Sequence, residues 1–418
     1  MPLSRRSTIS IAVFVLLVVF VGLGYWYESR QKTPGTATNT ASIDVTSGND
    51  RGPGTLREAL FKASAADTPV VIALKVPKIT LASTLPPLAN ARGIRLVGGE
   101  RATEIDGSSL PTGPVLDVGG ANVSIESVRI RNCRATAIVL RAERFKLQTT
   151  TIESCDVGVD VAENSKQILL ERNRFAGNRV GVRFAASNRN ALVVKNEFAG
   201  HRDAGLWAVR SEPDNAGGAI GIRDNRFTKE RIGIITANVS VLIERNELLD
   251  SQEAAMQLMG TGAVARGNRI SRGAAMGIVA ENARGAVIEE NEFDGLAAYG
   301  IMLKGSADTL VRGNRIHNSG YGLAFVLGTP RNPSSAIDNT IIEPKVTGID
   351  VIGDSPILRG NQVMRPRGLP LKVIDFEPDG GGEKIRSAPF LEGNNFKMGP
   401  ATVAAGGAKA PSDGVVQR

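Results

Sequence analysis

Cysteine, histidine and tryptophan are scarce in this chain: two of each in 418 residues, with aromatics at 5%. Two cysteines exclude a disulfide-dense module, and two cysteines with two histidines exclude a Cys/His zinc cluster. A surplus of one charge sign is lacking too. The 50 Lys and Arg against 42 Asp and Glu leave +8, too mild an excess over this length to mark a nucleic-acid binder. Long stretches of 3.6-residue periodicity are missing, as is Leu-x-x-Leu-x-Leu. Helical and leucine-rich repeats are thereby excluded. A 42% apolar share excludes a mainly disordered chain. What abounds is glycine, with 47 residues, which points to many short turns.

One apolar run carries no charge, Ile9 to Tyr27. At ~1.5 Å per residue it nearly spans a hydrocarbon core. Arg5 and Arg6 precede it and favour an inside N-terminus, against the weaker pull of Arg30 and Lys32 behind it. A cleaved signal peptide is the competing reading, but its apolar region is shorter and ends at a small-x-small site. Here Tyr25-Trp26-Tyr27 follow instead, so an uncleaved anchor is expected. The organisation that follows is a cytoplasmic N-terminus (1–8), a transmembrane anchor (9–27), a linker (28–42), a cap (43–69), a repeat body (70–399) and a disordered tail (400–418). The body is expected in the periplasm, or otherwise outside the cytoplasm, tethered to the inner membrane.

The body repeats one pattern: apolar residues, two polar ones, then Asn-x-apolar. It recurs at Asn173, Asn196, Asn225, Asn246, Asn268, Asn291, Asn314, Asn339, Asn361 and Asn394, spaced 21 to 33 residues apart. Val128 and Thr150 occupy the slot upstream. Each unit has a second apolar stretch, usually opened by glycine, as at Gly181, Gly205, Gly233, Gly277, Gly300, Gly322 and Gly348. Such units make short strands and polar turns, and they stack into a β-solenoid. Asn suits a sharp corner because it tolerates left-handed backbone geometry. Stacked Asn side chains can also form an amide ladder.

On these repeats the sequence resembles the right-handed parallel β-helix superfamily, the pectate-lyase-like proteins, over roughly residues 70–399. Gly-Thr-Leu-Arg-Glu-Ala (54–59) is similar to the entry segment of exported members. Its Thr55-x-x-Glu58 capping box predicts a helix from about Leu56 to Ala65. Leu56, Ala59, Leu60 and Ala63 are set to plug the first coil. The expected fold is therefore all-β: a right-handed parallel β-helix with an N-terminal capping helix, behind one transmembrane helix.

Charges follow the repeat. One position after Asn stand Arg174, Glu197, Arg226, Glu247, Arg269, Glu292 and Arg315; two before it stand Glu171, Val194, Arg223, Glu244, Arg266, Glu289 and Arg312. The alternation predicts ion-pair ladders along the axis that hold register. Catalytic roles for these residues are not expected.

The Gly-opened strand, whose outer face forms the substrate cleft in related enzymes, predicts an outward column. It reads Val139, Asp160, Arg183, Trp207, Ile235, Gln257, Val279, Met302, Ala324, Asp350, Pro370. Its polar end groups Asp160, Arg183 and Trp207 with His201, Arg202 and Asp203 in the preceding turn, and with Arg210, Glu212 and Asp214 beyond. Trp207 offers a flat face to a sugar ring, while Arg202, Asp203 and Arg210 could read hydroxyls or carboxylates. For chemistry, Arg183 could neutralise a uronate, His201 is the general base by type, and Asp160 completes the set. Asp350 and Asp354 could bind Ca²⁺, although Asp354-Ser355 also reads as an ordinary turn. No other cofactor is expected. Cys133 and Cys155 lie one coil apart, within disulfide range, with stacked free thiols slightly favoured. Tyr299 and Tyr321 read as core residues, with His317 near them.

The resemblance implies a polysaccharide partner and, if an enzyme, a lyase, C5-epimerase or glycoside hydrolase. The Asp-Pro-His-Asp of the epimerases is absent, and Arg365-Pro366-Arg367 only echoes the Arg-x-Pro-x-x-Arg of the pectate lyases. The alternatives are a non-catalytic envelope protein that binds or guides a polysaccharide during exopolysaccharide export, and a scaffold that docks an envelope protein. No nucleic-acid partner is expected.

Overall fold

The computed structural model describes residues 40–397 apart from 164, 186–188, 212–218, 274–275, 330 and 379–381. The expected anchor and tail lie outside the described residues. Among those described, no helix is long and apolar enough to cross a membrane.

Every named strand pairing is parallel, and the strands form three sheets. One turn illustrates the path. Val180–Phe184 lies in sheet III, Arg189–Val194 in sheet I, Glu197–Ala199 in sheet II, and Ala204–Val209 returns to sheet III. Sheets I, II and III hold 15, 14 and 12 strands, so the body is one solenoid, and a continuous core runs along it from Val45 to Leu371. Register explains why the strands alternate so cleanly. A one-residue slip would turn every inward Val, Ile and Phe outward.

The helix α1 spans Leu56–Ser64 and is capped as the sequence predicts. The Thr55 hydroxyl accepts from the Glu58 amide at 3.3 Å, and Glu58 Oε2 accepts from the Gly54 amide at 2.6 Å. Its buried residues are Leu56, Ala59, Leu60 and Ala63. Strand Ala41–Val45 already pairs with Val70–Leu74 in sheet I. The helix therefore sits inside the first turn, not ahead of it.

The corner between sheets I and II is two residues long, and it divides the labour expected of Asn. The left-handed residue is the one before Asn: Arg172, Lys195, Asp224 and Arg245 have φ between 52° and 56°, and glycine takes the place at Gly267, Gly313 and Gly360. Asn itself is buried and forms the ladder. Asn246 Nδ2 donates to Asn268 Oδ1 at 3.0 Å and to the Ile222 carbonyl at 2.8 Å, and the Asn246 amide donates to the same Oδ1 at 2.9 Å. The pattern runs unbroken from Asn173 to Asn394. Beneath it Phe175, Phe198 and Phe227 stack at 5.0 and 4.5 Å.

Both charge columns are in register, coil upon coil. Arg174–Glu197 and Arg226–Glu247 pair at 2.9 and 3.0 Å. Glu289 is held between Arg266 and Arg312. Cys133 and Cys155 are bonded across adjacent coils, with Cα atoms 4.3 Å apart. That corrects the preference for free thiols: the column brings the two residues face to face.

Candidate functional site

The outer face of sheet III carries the predicted column, in register from Val139 through Asp160, Arg183, Trp207, Ile235, Gln257, Val279, Met302 and Ala324 to Asp350. The last step differs. Asp350 faces Lys372, not Pro370, because Pro370 stands in the column of the opening glycines.

At one end Arg183 grips Asp160 through two bonds, Nε to Oδ1 at 2.9 Å and Nη2 to Oδ2 at 2.6 Å. The bond to Asp160 raises the Arg183 pKa, so this guanidinium stays charged. Trp207 follows in register, half-buried, and packs with Val209 and Met259 on Ala204, Ile232 and Ile235. Asp203 binds Arg179 at 2.8 Å and lies 3.9 Å from Arg231. Arg202 is exposed, and its charge joins those of Arg179 and Arg183 in lowering the Asp156 pKa; the bond from Arg179 is the leading cause. Arg210 is half-buried where the strand ends, its carbonyl accepting from Asn238 Nδ2 at 3.2 Å. Glu212 and Asp214 lie outside the described residues.

His201 is not at this face. Its side chain is fully buried, as is that of Glu230, whose carboxylate holds Nδ1 at 2.9 Å. Asn178 Nδ2 lies 3.3 Å from Nε2. Gly181 walls it in: a Cβ there would stand 2.9 Å from Nε2 and 2.5 Å from the Gly205 carbonyl. The expectation of His201 as an external base is therefore corrected. The sequence held the signal, since His201 shares the column of Cys133, Cys155 and Asn178, and that column faces inward.

The other end was missed. Tyr299 and Tyr321 stack with centroids 4.4 Å apart, half-buried on the outer surface rather than in the core. His317 is not with them; it stands on sheet II. Beside the tyrosines lies Asp350, 4% exposed, with Oδ1 buried and unpartnered. Burial raises its pKa, against weaker opposing pulls from Lys372, Thr347 and Tyr299. A carboxyl held neutral longer than usual is able to donate a proton. Asp354 is also buried, with Oδ1 accepting from the Ser355 amide at 2.6 Å and burial raising its pKa. The turn reading therefore describes Asp354 better than a Ca²⁺ pair does. Among the described residues no three His, Cys, Asp or Glu side chains gather in a way that could hold a metal.

Between the two ends the face is mostly apolar: Ile235, Val279 and Met302, with Gln257 among them. Trp207 and Tyr299 stand four coils apart, roughly 19 Å at ~4.8 Å per coil.

No curated protein matches the sequence. Several solved structures share the fold. The catalytic unit of a thermostable GH87 alpha-1,3-glucanase from Streptomyces thermodiastaticus is 14% identical, with a TM-score of 0.55 over 88% of this chain and 71% of that one. PfbA, a surface adhesin of Streptococcus pneumoniae, is 12% identical, with a TM-score of 0.54 over 84% of this chain and 100% of its own. A PL6 family polysaccharide lyase from Pseudopedobacter saltans is 14% identical, with a TM-score of 0.52 over 90% and 98%. The family described as the right handed beta helix region matches residues 89–216 and 214–363. With that span matched and the three parallel sheets described, the chain belongs to the right-handed β-helix family.

Proposed function

We propose that this protein binds a polysaccharide along the outer face of sheet III, exported and tethered to the inner membrane by residues 9–27. The observation that carries the reading is the pair of aromatic platforms on one face, Trp207 and the Tyr299–Tyr321 stack, each beside charged groups. Aromatic faces cover the apolar side of a sugar ring, and neighbouring charges orient its hydroxyls. Arg183 holds Asp160 through Nε and Nη2, which leaves its Nη1 to meet a uronate carboxylate; Arg202, Asp203 and Arg210 flank the Trp207 end. The Cys133–Cys155 bond fits an oxidising compartment outside the cytoplasm. Two structural neighbours are named for a glucanase and a lyase activity, which agrees with a carbohydrate ligand.

A second reading rests on Asp350. Its buried carboxyl and vacant Oδ1 suit a general acid acting on a glycan laid over the tyrosines. The full chain in detergent, incubated with alginate, pectate and a neutral glucan, tests both readings. Trp207→Ala and Tyr321→Ala are each expected to weaken binding of the recognised glycan. Unchanged affinity in both variants would overturn the platform. Asp350→Asn is expected to abolish turnover while binding persists, and turnover that survives it removes Asp350 as the acid. A chain that binds none of the three glycans points to the docking-scaffold alternative.

A further inference from the structure

Sheet II carries a concavity, away from the sheet III face. It is a cleft of about 360 Å³ lined by Arg269, Glu292, Asp294, Arg315, His317 and Arg365, with apolar Ile270, Phe293 and Ile342 beneath. Its volume lies at the small end of ligand sites, suited to one sugar ring rather than to a chain.

The cleft forms where the charge ladder fails. Toward the N-terminus the column pairs tightly, Arg174 with Glu197 and Arg226 with Glu247. At the cleft the Arg269–Glu292 contact is stretched to 4.0 Å. The next member, Arg315, faces Thr340 and then Gln362, so no acid follows it. The strands here also lengthen. Arg269–Gly273 and Glu292–Leu296 have five residues, where Arg226–Thr228 and Arg315–His317 have three.

His317 stands beside Arg315 on the same strand, its Nδ1 2.9 Å from Asp294 Oδ1 and its Nε2 3.7 Å from Glu343 Oε2. Asp294 thereby fixes the ring's orientation. Arg365 is tied to Glu343 at 3.0 Å. The ladder sets Glu292 beside Arg315 on one side only, and among the described residues no ion pair ties Arg315 as Glu343 ties Arg365; its planar fork matches a carboxylate.

We propose that this cleft binds one acidic sugar-sized molecule, its carboxylate on Arg315 and its hydroxyls on His317 and Asp294. The site stands apart from the sheet III reading and does not depend on it.

The chain's two histidines make the test direct. His201 is buried and His317 is half-exposed, so ring-labelled histidine gives one silent and one reporting signal. The full chain in detergent is titrated with glucuronate, glucose and inorganic phosphate. Glucuronate is expected to shift the His317 signals saturably and to leave those of His201 in place. Arg315→Gln should weaken that binding about tenfold to a hundredfold, the worth of a hydrogen bond to a charged group. Arg226→Gln, in the same column but paired, should leave it unchanged. No saturable shift, or equal affinity in Arg315→Gln, overturns the proposal. Equal affinity for glucose overturns the role of Arg315, and equal affinity for phosphate overturns the sugar-sized ligand.

Discussion

Asp350 shows how one residue sets opposing demands. Burial raises its pKa, so the folded state holds the proton more tightly than the unfolded chain does. Stability from this group is therefore full below the usual carboxyl value of 3.8 and is lost as pH rises through the folded value. Asp354 acts in the same direction, while Asp50, Glu104 and Asp156, all lowered, act in the opposite one. Asp350→Asn removes the penalty and keeps the shape. Thermal midpoints followed by circular dichroism should be higher in the variant at neutral pH and should converge with the parent below pH 3.8. A less stable variant at pH 7 would mean that attraction to Lys372 outweighs burial. At this scale the sequence spoke unevenly. The outward placement of Asp350 was legible from the strand pattern. Its burial was not, because it depends on Tyr299 two coils earlier. The tyrosines read as core because each precedes the opening glycine, where the two-residue alternation does not hold.

Among the elements, the corner between sheets I and II holds the coils together. The ladder was legible from the Asn spacing alone, and the charge columns followed from it. The left-handed position was misread by one residue, although Arg266-Gly267-Asn268, Arg312-Gly313-Asn314 and Arg359-Gly360-Asn361 placed a glycine where it was needed. Substitution tests this division of roles. Asn246→Ala deprives the amide and the Nδ2 of Asn225 of their acceptor, and the Ile222 carbonyl of its donor. Unsatisfied buried groups cost about 1–3 kcal/mol each, so a loss on the order of 3 kcal/mol is expected in denaturant unfolding. Arg245→Gly, one residue earlier, relieves a left-handed side chain at about 1–2 kcal/mol and gives up ion pairs to Asp224 and Glu244, each worth about 1 kcal/mol at most. Its stability should stay near that of the parent. If the two variants lose equally, the amide ladder is not the stronger term.

Across the whole molecule, the strands of each coil pair only with those of its neighbours, so stability is largely a sum of local terms rather than one global quantity. The sequence made this architecture legible through its repeat. It did not show the sheet II cleft, whose lining is drawn from side chains on several coils. The disulfide gives a way to see how far an effect travels. It closes a loop of 22 residues between adjacent coils, and a crosslink of that span contributes about 3 kcal/mol in the chain-entropy account. In a globular domain reduction would spread that loss over every amide. Here it should remain near the bond. Hydrogen exchange after reduction should quicken for the strands Val128–Arg131, Thr136–Leu140, Thr151–Glu153 and Val157–Val161. It should be unchanged for Arg315–His317 and Tyr321–Val326, seven coils away. A uniform rise along the axis would show that the coils open together, and the nearest-neighbour description would have to be abandoned.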